Sequence, residues 1–290
     1  MKTIFGPLGL ILAVTLLVNC NRARLEPNNP SNGQAQTLGR GEGPESLPPQ
    51  GPKTPDIPRD RGPVPAPTDG VCKAANVKTT NNVKVLFVVD GSGSNFGANG
   101  SLPSDPAKEW RTSTLRQFIT ENVNKPNFFY GLTLFKGTTS VAKIKVNGEP
   151  GFSNDRAVVS EGFRSFLSTQ DGGNTPYKAA LRMAKNIIAA DLEQHMNDNT
   201  TYAVVMVSDG HATDYKNAHD VIPDAASIKD LAPERITLNS VYYSAKKVDA
   251  SAPQYLKSIA NIGEGAFIVA STKQSLKLAD VVRFSAVSCR

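Results

Sequence analysis

Residues 83–89 are apolar at nearly every position, and the run stops at Asp90-Gly91, the pattern of a strand buried on both faces. Helical spacing follows at Leu115, Phe118 and Ile119, then a second strand is predicted over 127–135, and 141–146 alternates as an edge strand should. Residues 155–167 have helical periodicity. So does the segment opened by Thr175-Pro176, with its apolar face at Tyr177, Leu181, Ala184, Ile188 and Leu192. Pro176 falls in the first turn, where its missing N–H costs nothing. The rhythm continues with strands at 202–207, 236–243 and 266–270 and helices at 221–231 and 253–262, and Thr272 caps a final helix to about Ser285. Strand and helix alternating in this way predict one α/β domain over residues 72–290. Its sheet is doubly wound and mainly parallel, with helices on both faces and one antiparallel edge strand. Ligands of such sheets gather at the carboxyl ends of the strands.

The first 71 residues lack this rhythm. Lys2 precedes an apolar run over 4–18 that is interrupted by Gly6, Pro7 and Gly9 and is too short to span a bilayer comfortably, so residues 1–19 read as an export signal. Leu17-Val18-Asn19-Cys20 resembles a bacterial lipobox, in which cleavage exposes the cysteine and its thiol takes a diacylglycerol; Asn19 departs from the usual small residue. Residues 20–71 then form a lipid-anchored linker, with eleven prolines and seven glycines over 21–71 and almost no large apolar side chain. Such a stretch buries too little surface to offset the entropy of ordering, and is expected to stay disordered. Together these segments predict an exported, membrane-anchored lipoprotein of the bacterial cell envelope. Asn21 is not the Asp that argues for inner-membrane retention, which favours the outer membrane.

The 290 residues are 39% apolar and 20% charged, enough to bury a core. The net charge of +6 is spread along the chain and not gathered into basic blocks, so no nucleic acid is expected as a partner. With Cys20 committed to lipid, Cys72 and Cys289 remain at the two ends of the domain, and in an exported setting they are expected to form a disulfide.

Three predicted strand-end loops are rich in oxygen side chains: Asp90-Gly-Ser92-Gly-Ser94, Asp171-Gly-Gly-Asn-Thr175 and Ser208-Asp209-Gly210. Hard oxygen donors with no thiolate or imidazole suit Mg²⁺, or Mn²⁺ or Ca²⁺, and not zinc. Asp90, Ser92 and Ser94 are spaced by two and separated by glycine, so a tight loop can bring all three to one point. Two carboxylates offset the charge of a divalent ion while hydroxyls stay neutral, leaving it receptive to a further anionic oxygen.

These three segments, in this order, resemble the metal-ion-dependent adhesion site of von Willebrand factor type A domains, whose fold is Rossmann-like. The resemblance covers essentially all of 72–290. It implies that Ser92, Ser94 and Thr175 ligate the metal, that Asp90 and Asp209 act largely through water, and that an exposed Asp or Glu of a protein partner completes the shell. It also implies a final helix that shifts when that carboxylate binds. The function expected is therefore a protein-binding module and not an enzyme. A structural or assembly subunit of an envelope complex is the alternative. A metal-assisted hydrolase is disfavoured because no general base accompanies the loops.

Other motifs point elsewhere. Gly91-x-Gly93-x-x-x-Gly97 resembles a dinucleotide fingerprint, but Asp90 would repel a pyrophosphate and no acidic residue closes the second strand. His211, Asp214 and His219 read as a solvated loop with zinc or acid–base chemistry as the lesser option, and Trp110, Arg111 and Arg116 as packing on the first helix. Asp171 and Asp214 are candidates for outer carboxylates around the metal or for loop caps.

Overall fold

The computed structural model describes residues 71–97, 102–195, 199–245 and 252–289. The expected export signal, Cys20 and the expected linker up to residue 70 lie outside the described residues. Among the described residues, no helix is long and apolar enough to cross a membrane.

Six strands make the central sheet: β2 (Val83–Asp90), β3 (Phe128–Lys136), β4 (Thr139–Ala142), β7 (Thr201–Ser208), β8 (Ile236–Ser244) and β9 (Glu264–Ser271), in the order β4-β3-β2-β7-β8-β9. All neighbours are parallel except β3 and β4, so β4 is the antiparallel edge strand expected. The chain starts at the centre with β2, runs outward through β3 and β4, and returns to the other side of β2 with β7. The sheet is therefore doubly wound, and its switch point lies between the carboxyl ends of β2 and β7.

Helices cover both faces. Along β2, Leu86 and Val88 point toward α3 (Tyr177–Gln194), α4 (Ile222–Lys229) and α5 (Ala252–Ile262), while Val85, Phe87 and Val89 point toward α1 (Glu109–Glu121) and α2 (Arg156–Ser168). Alternation within a wholly buried strand thus feeds two cores. Lys84 is the polar exception in β2: its ammonium lies 2.6 Å from Asp191 of α3, which also accepts from the Tyr202 hydroxyl at 2.6 Å. Burying that cation is tolerable because its partner is fixed beside it.

Two expectations need correction. The stretch 141–146 is not one strand: the amides of Lys143 and Ile144 both turn to the carbonyl of Leu132, and the chain continues as a small hairpin of β5 (Lys145–Val146) and β6 (Glu149–Pro150). Asn147 and Gly148 close it with φ of 52° and 88°, the left-handed pair a tight hairpin needs. The final helix over 272–285 is likewise not formed. Only α6 (Leu278–Val281) is helical, and β10 (Arg283–Ser285) pairs antiparallel with β1 (Val71–Lys73). Long-range partners hold Arg283 extended: the Asn239 side chain accepts from its amide at 2.8 Å and donates to its carbonyl at 3.0 Å. The expected disulfide is present, Cys72 to Cys289, with Cα atoms 6.5 Å apart.

Candidate functional site

The three oxygen-rich loops meet at the switch point. Asp90 ends β2 fully buried, and its carboxylate folds the next turn onto itself: Oδ1 accepts from the Ser92 amide at 2.7 Å, and Oδ2 accepts from the Ser208 hydroxyl at the end of β7. The chain then enters a short 3-10 turn over Gly93–Phe96, not the helix a dinucleotide fingerprint would require. Ser92 and Ser94 hydroxyls lie 3.0 Å apart, and Ser94 donates to Asp209 Oδ1 at 2.7 Å. Asp209 Oδ2 is buried and has no hydrogen-bond partner.

Thr175 reaches the same point from the second loop. A Cβ on Gly210 would stand 3.3 Å from the Thr175 hydroxyl and 3.5 Å from the Ser94 hydroxyl, so the two flank one small space that only glycine leaves open. Backbone bonds lace the loops together. Gly93 donates to the Gly173 carbonyl at 2.9 Å, Gly172 to that of Gly91 at 2.8 Å, and Thr213 to that of Thr175 at 3.0 Å. Gly173 has φ of 73°, and a Cβ there would come within 2.9 Å of the Gly137 Cα, so no other residue fits. The structure thus places Asp90, Ser92, Ser94, Thr175 and Asp209 on adjoining loops at one end of the sheet.

Electrostatics at this point are unfavourable for protein alone. Burial, and then the nearby Asp209, push the Asp90 carboxyl up to about 7 despite the hydrogen bonds from Ser208 and Ser92. Burial likewise raises Asp209, against the nearby Ser104 hydroxyl, the Ser94 donor and the positive Arg111. Two buried acids, one with an orphan oxygen, flanked by three hydroxyls, are a donor set that fits a hard divalent cation. Among the described residues no three His, Cys, Asp or Glu side chains are grouped to hold a metal, so any cation here must rely on the hydroxyls.

Behind the loops lies a feature that the sequence reading treated only as packing. Arg111 is fully buried: Nε lies 2.9 Å from Asp105, and one terminal nitrogen 2.7 Å from Asp171 Oδ2, while the other donates to the Asp90 carbonyl. Asp105 also caps α1 by accepting from the amides of Trp110 and Arg111 at 3.1 and 3.0 Å. Lys108 sits 3.3 Å from Asp171 Oδ1. One guanidinium therefore fixes the first and second loops relative to each other. Asn95 adds a further link, accepting from the Tyr243 hydroxyl, and Tyr243 stacks on Trp110 with ring centroids 5.0 Å apart. Asn95, Asp105 and Tyr243 carried no sequence signal, because each acts through a partner remote in the chain.

His211, Asp214 and His219 are not assembled into a site. Asp214 accepts from the Lys178 amide at 2.8 Å and so caps α3, and the His211 ring meets Tyr255 edge-on at 6.3 Å.

No protein-family model matches the sequence, and no curated protein does. Solved structures do. The VWA domain of SpRpn10 is 13% identical with a TM-score of 0.48, the match covering 69% of this chain and 93% of that one. The vWF domain of the type V pili tip protein Mfa5 from Porphyromonas gingivalis is 15% identical with a TM-score of 0.44, covering 69% and 92%. The manganese-loaded TRAP protein of Plasmodium vivax is 16% identical with a TM-score of 0.42, covering 64% of each. The chain is similar in fold to von Willebrand factor type A domains.

Proposed function

We propose that this domain is a binding module that holds a divalent cation, Mg²⁺ or Mn²⁺, at Asp90, Ser92, Ser94, Thr175 and Asp209, and uses it to capture an acidic side chain of a protein partner. The observation that carries this reading is the convergence of the Ser94 and Thr175 hydroxyls on the space above Gly210, with Asp209 bonded to Ser94 and its other oxygen left without a partner. Asp90, with both oxygens already engaged by Ser92 and Ser208, serves best by orienting the loop and supplying charge. When bound, the cation supplies an attraction for a carboxylate that the buried acids by themselves would repel.

The surroundings suit a protein partner. Phe96 and Leu102 are 60% and 67% exposed, and the Ser104 amide ties their loop to the Ser94 carbonyl at 3.4 Å, so apolar surface borders the oxygen cluster. Cys20 would anchor the chain to an envelope membrane, with the proline-rich segment as spacer. An assembly subunit that locks a permanent neighbour differs from a transient adhesin in one measurable way, stable co-purification from detergent.

The test is a thermal-shift and calorimetric titration of the secreted domain with Mg²⁺ and Mn²⁺. Saturable binding is expected in wild type. Asp209→Ala and Thr175→Ala should weaken it at least tenfold while remaining folded, since the cores of β2 and β7 do not include these side chains. Pull-down of envelope extract with and without EDTA then reads partner capture. A wild-type domain that binds neither metal, or captures the same partner equally in EDTA, removes this reading.

A further inference from the structure

At the opposite end of the sheet, near the amino ends of β2 and β3, the groove between α1 and α2 widens into a cleft of about 550 Å³. Three aromatic rings lie beneath it, Phe128 and Tyr130 from β3 and Phe163 from α2, each at most 5% exposed, and Ile119 and Val123 give it a more open apolar wall. Three cations stand around it, and no acidic residue lines it. Arg116 lies 5.3 Å from the Phe163 ring centroid and Lys125 5.2 Å from that of Phe128. Among the described residues, neither of these nor Arg156 is in an ion pair. Tyr130 is only 5% exposed, and its hydroxyl has no hydrogen-bond partner.

Each of these facts is a cost in isolation. An orphaned buried hydroxyl is destabilising, and unpaired cations gathered at one place repel one another. A cleft of this size, half apolar and ringed by one sign of charge, has the chemistry of a small-molecule site. The apolar floor disfavours a bare inorganic anion, which would have nothing to bury there; the cations disfavour a neutral or positive amphiphile. We propose that this cleft binds a small amphiphilic carboxylate, its apolar body against Ile119 and Val123 above the buried rings and its anionic head held by Arg116 and Arg156, with the unsatisfied Tyr130 hydroxyl beneath as a further donor. Burial pushes the Tyr130 phenol up, so it remains a donor at neutral pH. The site is separate from the oxygen cluster at Asp90 and does not depend on a metal there.

The probe is 8-anilinonaphthalene-1-sulfonate, followed by fluorescence on the folded domain and displaced by laurate. One saturable site per chain is expected, equal in Mg²⁺ and in EDTA. The double variant Arg116→Ala/Arg156→Ala, at exposed positions that the core does not need, should weaken laurate at least tenfold. Tyr130→Phe, which keeps the ring, should weaken it about threefold or more, and Arg164→Ala on the same helix should leave it unchanged. Dodecanol should compete at least tenfold less well than laurate. Equal displacement by dodecanol, an unaffected double variant, or binding only to vesicles of anionic lipid would overturn the proposal.

Discussion

Asp90 sits where a charge is hardest to keep: it is fully buried, and Asp209 raises its pKa further. Its folded-state pKa lies above the ordinary 3.8, so between about pH 4 and pH 7 the metal-free folded protein holds a proton that the unfolded chain has released. Stability from this group is therefore present below the unfolded value and is lost as pH rises through about 7. The loss is on the order of a few kcal/mol. Asp90→Asn imitates the protonated form and keeps an acceptor for the Ser92 amide. In EDTA at pH 8 the variant is expected to melt above wild type, and the gap should be less than half as large at pH 5, closing only near pH 4. Denaturation at the two pH values checks this, and equal melting at pH 8 would show that the buried charge is not the cost described here. Adding Mg²⁺ should restore wild type at pH 8 and do little for the variant.

Each of the three loops is short, and the first and second are held against each other through Arg111 on α1. Replacing it with Met would leave Asp105 buried without its cation and Asp171 with Lys108 alone, and breaking a buried pair in this way typically costs about 3–5 kcal/mol. It should also slacken the first loop against the second, so Arg111→Met is expected to lose both stability and metal affinity, whereas Asp209→Ala loses affinity alone. Urea unfolding and metal titration on the same samples separate the two. This brace marks the limit of what was legible in the chain. The strands β2 and β7 were readable as nearly continuous apolar runs, and the oxygen-rich loops from side chains spaced by glycine. Arg111 meets Asp171 across 60 residues, and no local period or spacing records such a pair. The C-terminal error has the same origin. The segment 283–285 has no strong local preference, and its extended form is imposed by Asn239 and by β1 at the other end of the chain.

The two poles of the molecule carry different tasks. At the carboxyl ends of the strands is the oxygen cluster; at the amino ends the chain's entry and exit are fastened together. Asn81 donates to the Val287 carbonyl at 2.7 Å, Thr201 and Ser288 hydroxyls are 2.7 Å apart, and Cys72 and Cys289 close a loop with a sequence separation of 217. For so long a loop the chain-entropy model gives roughly 5 kcal/mol, an upper figure because β1 and β10 still pair without the bond. Cys72→Ser/Cys289→Ser should thus be clearly less stable in urea than wild type.

Metal affinity should respond differently. From Thr201 to Ser208 strand β7 runs the height of the sheet, roughly 23 Å at about 3.3 Å per residue. Coupling across it needs an element with two arrangements, and the final helix that the family resemblance offered for that role is a four-residue turn followed by a pinned strand. Among the described residues, strands run between the poles and no bistable piece joins them. The double serine variant is expected to bind Mg²⁺ with a half-saturation within twofold of wild type, measured well below its melting temperature. By linkage, Mg²⁺ should raise the unfolding free energy of both proteins by the same amount. A tenfold change in affinity on losing the disulfide would mean that the C-terminal strand moves with the site, and that the oxygen cluster is switched from the disulfide-bonded end of the domain.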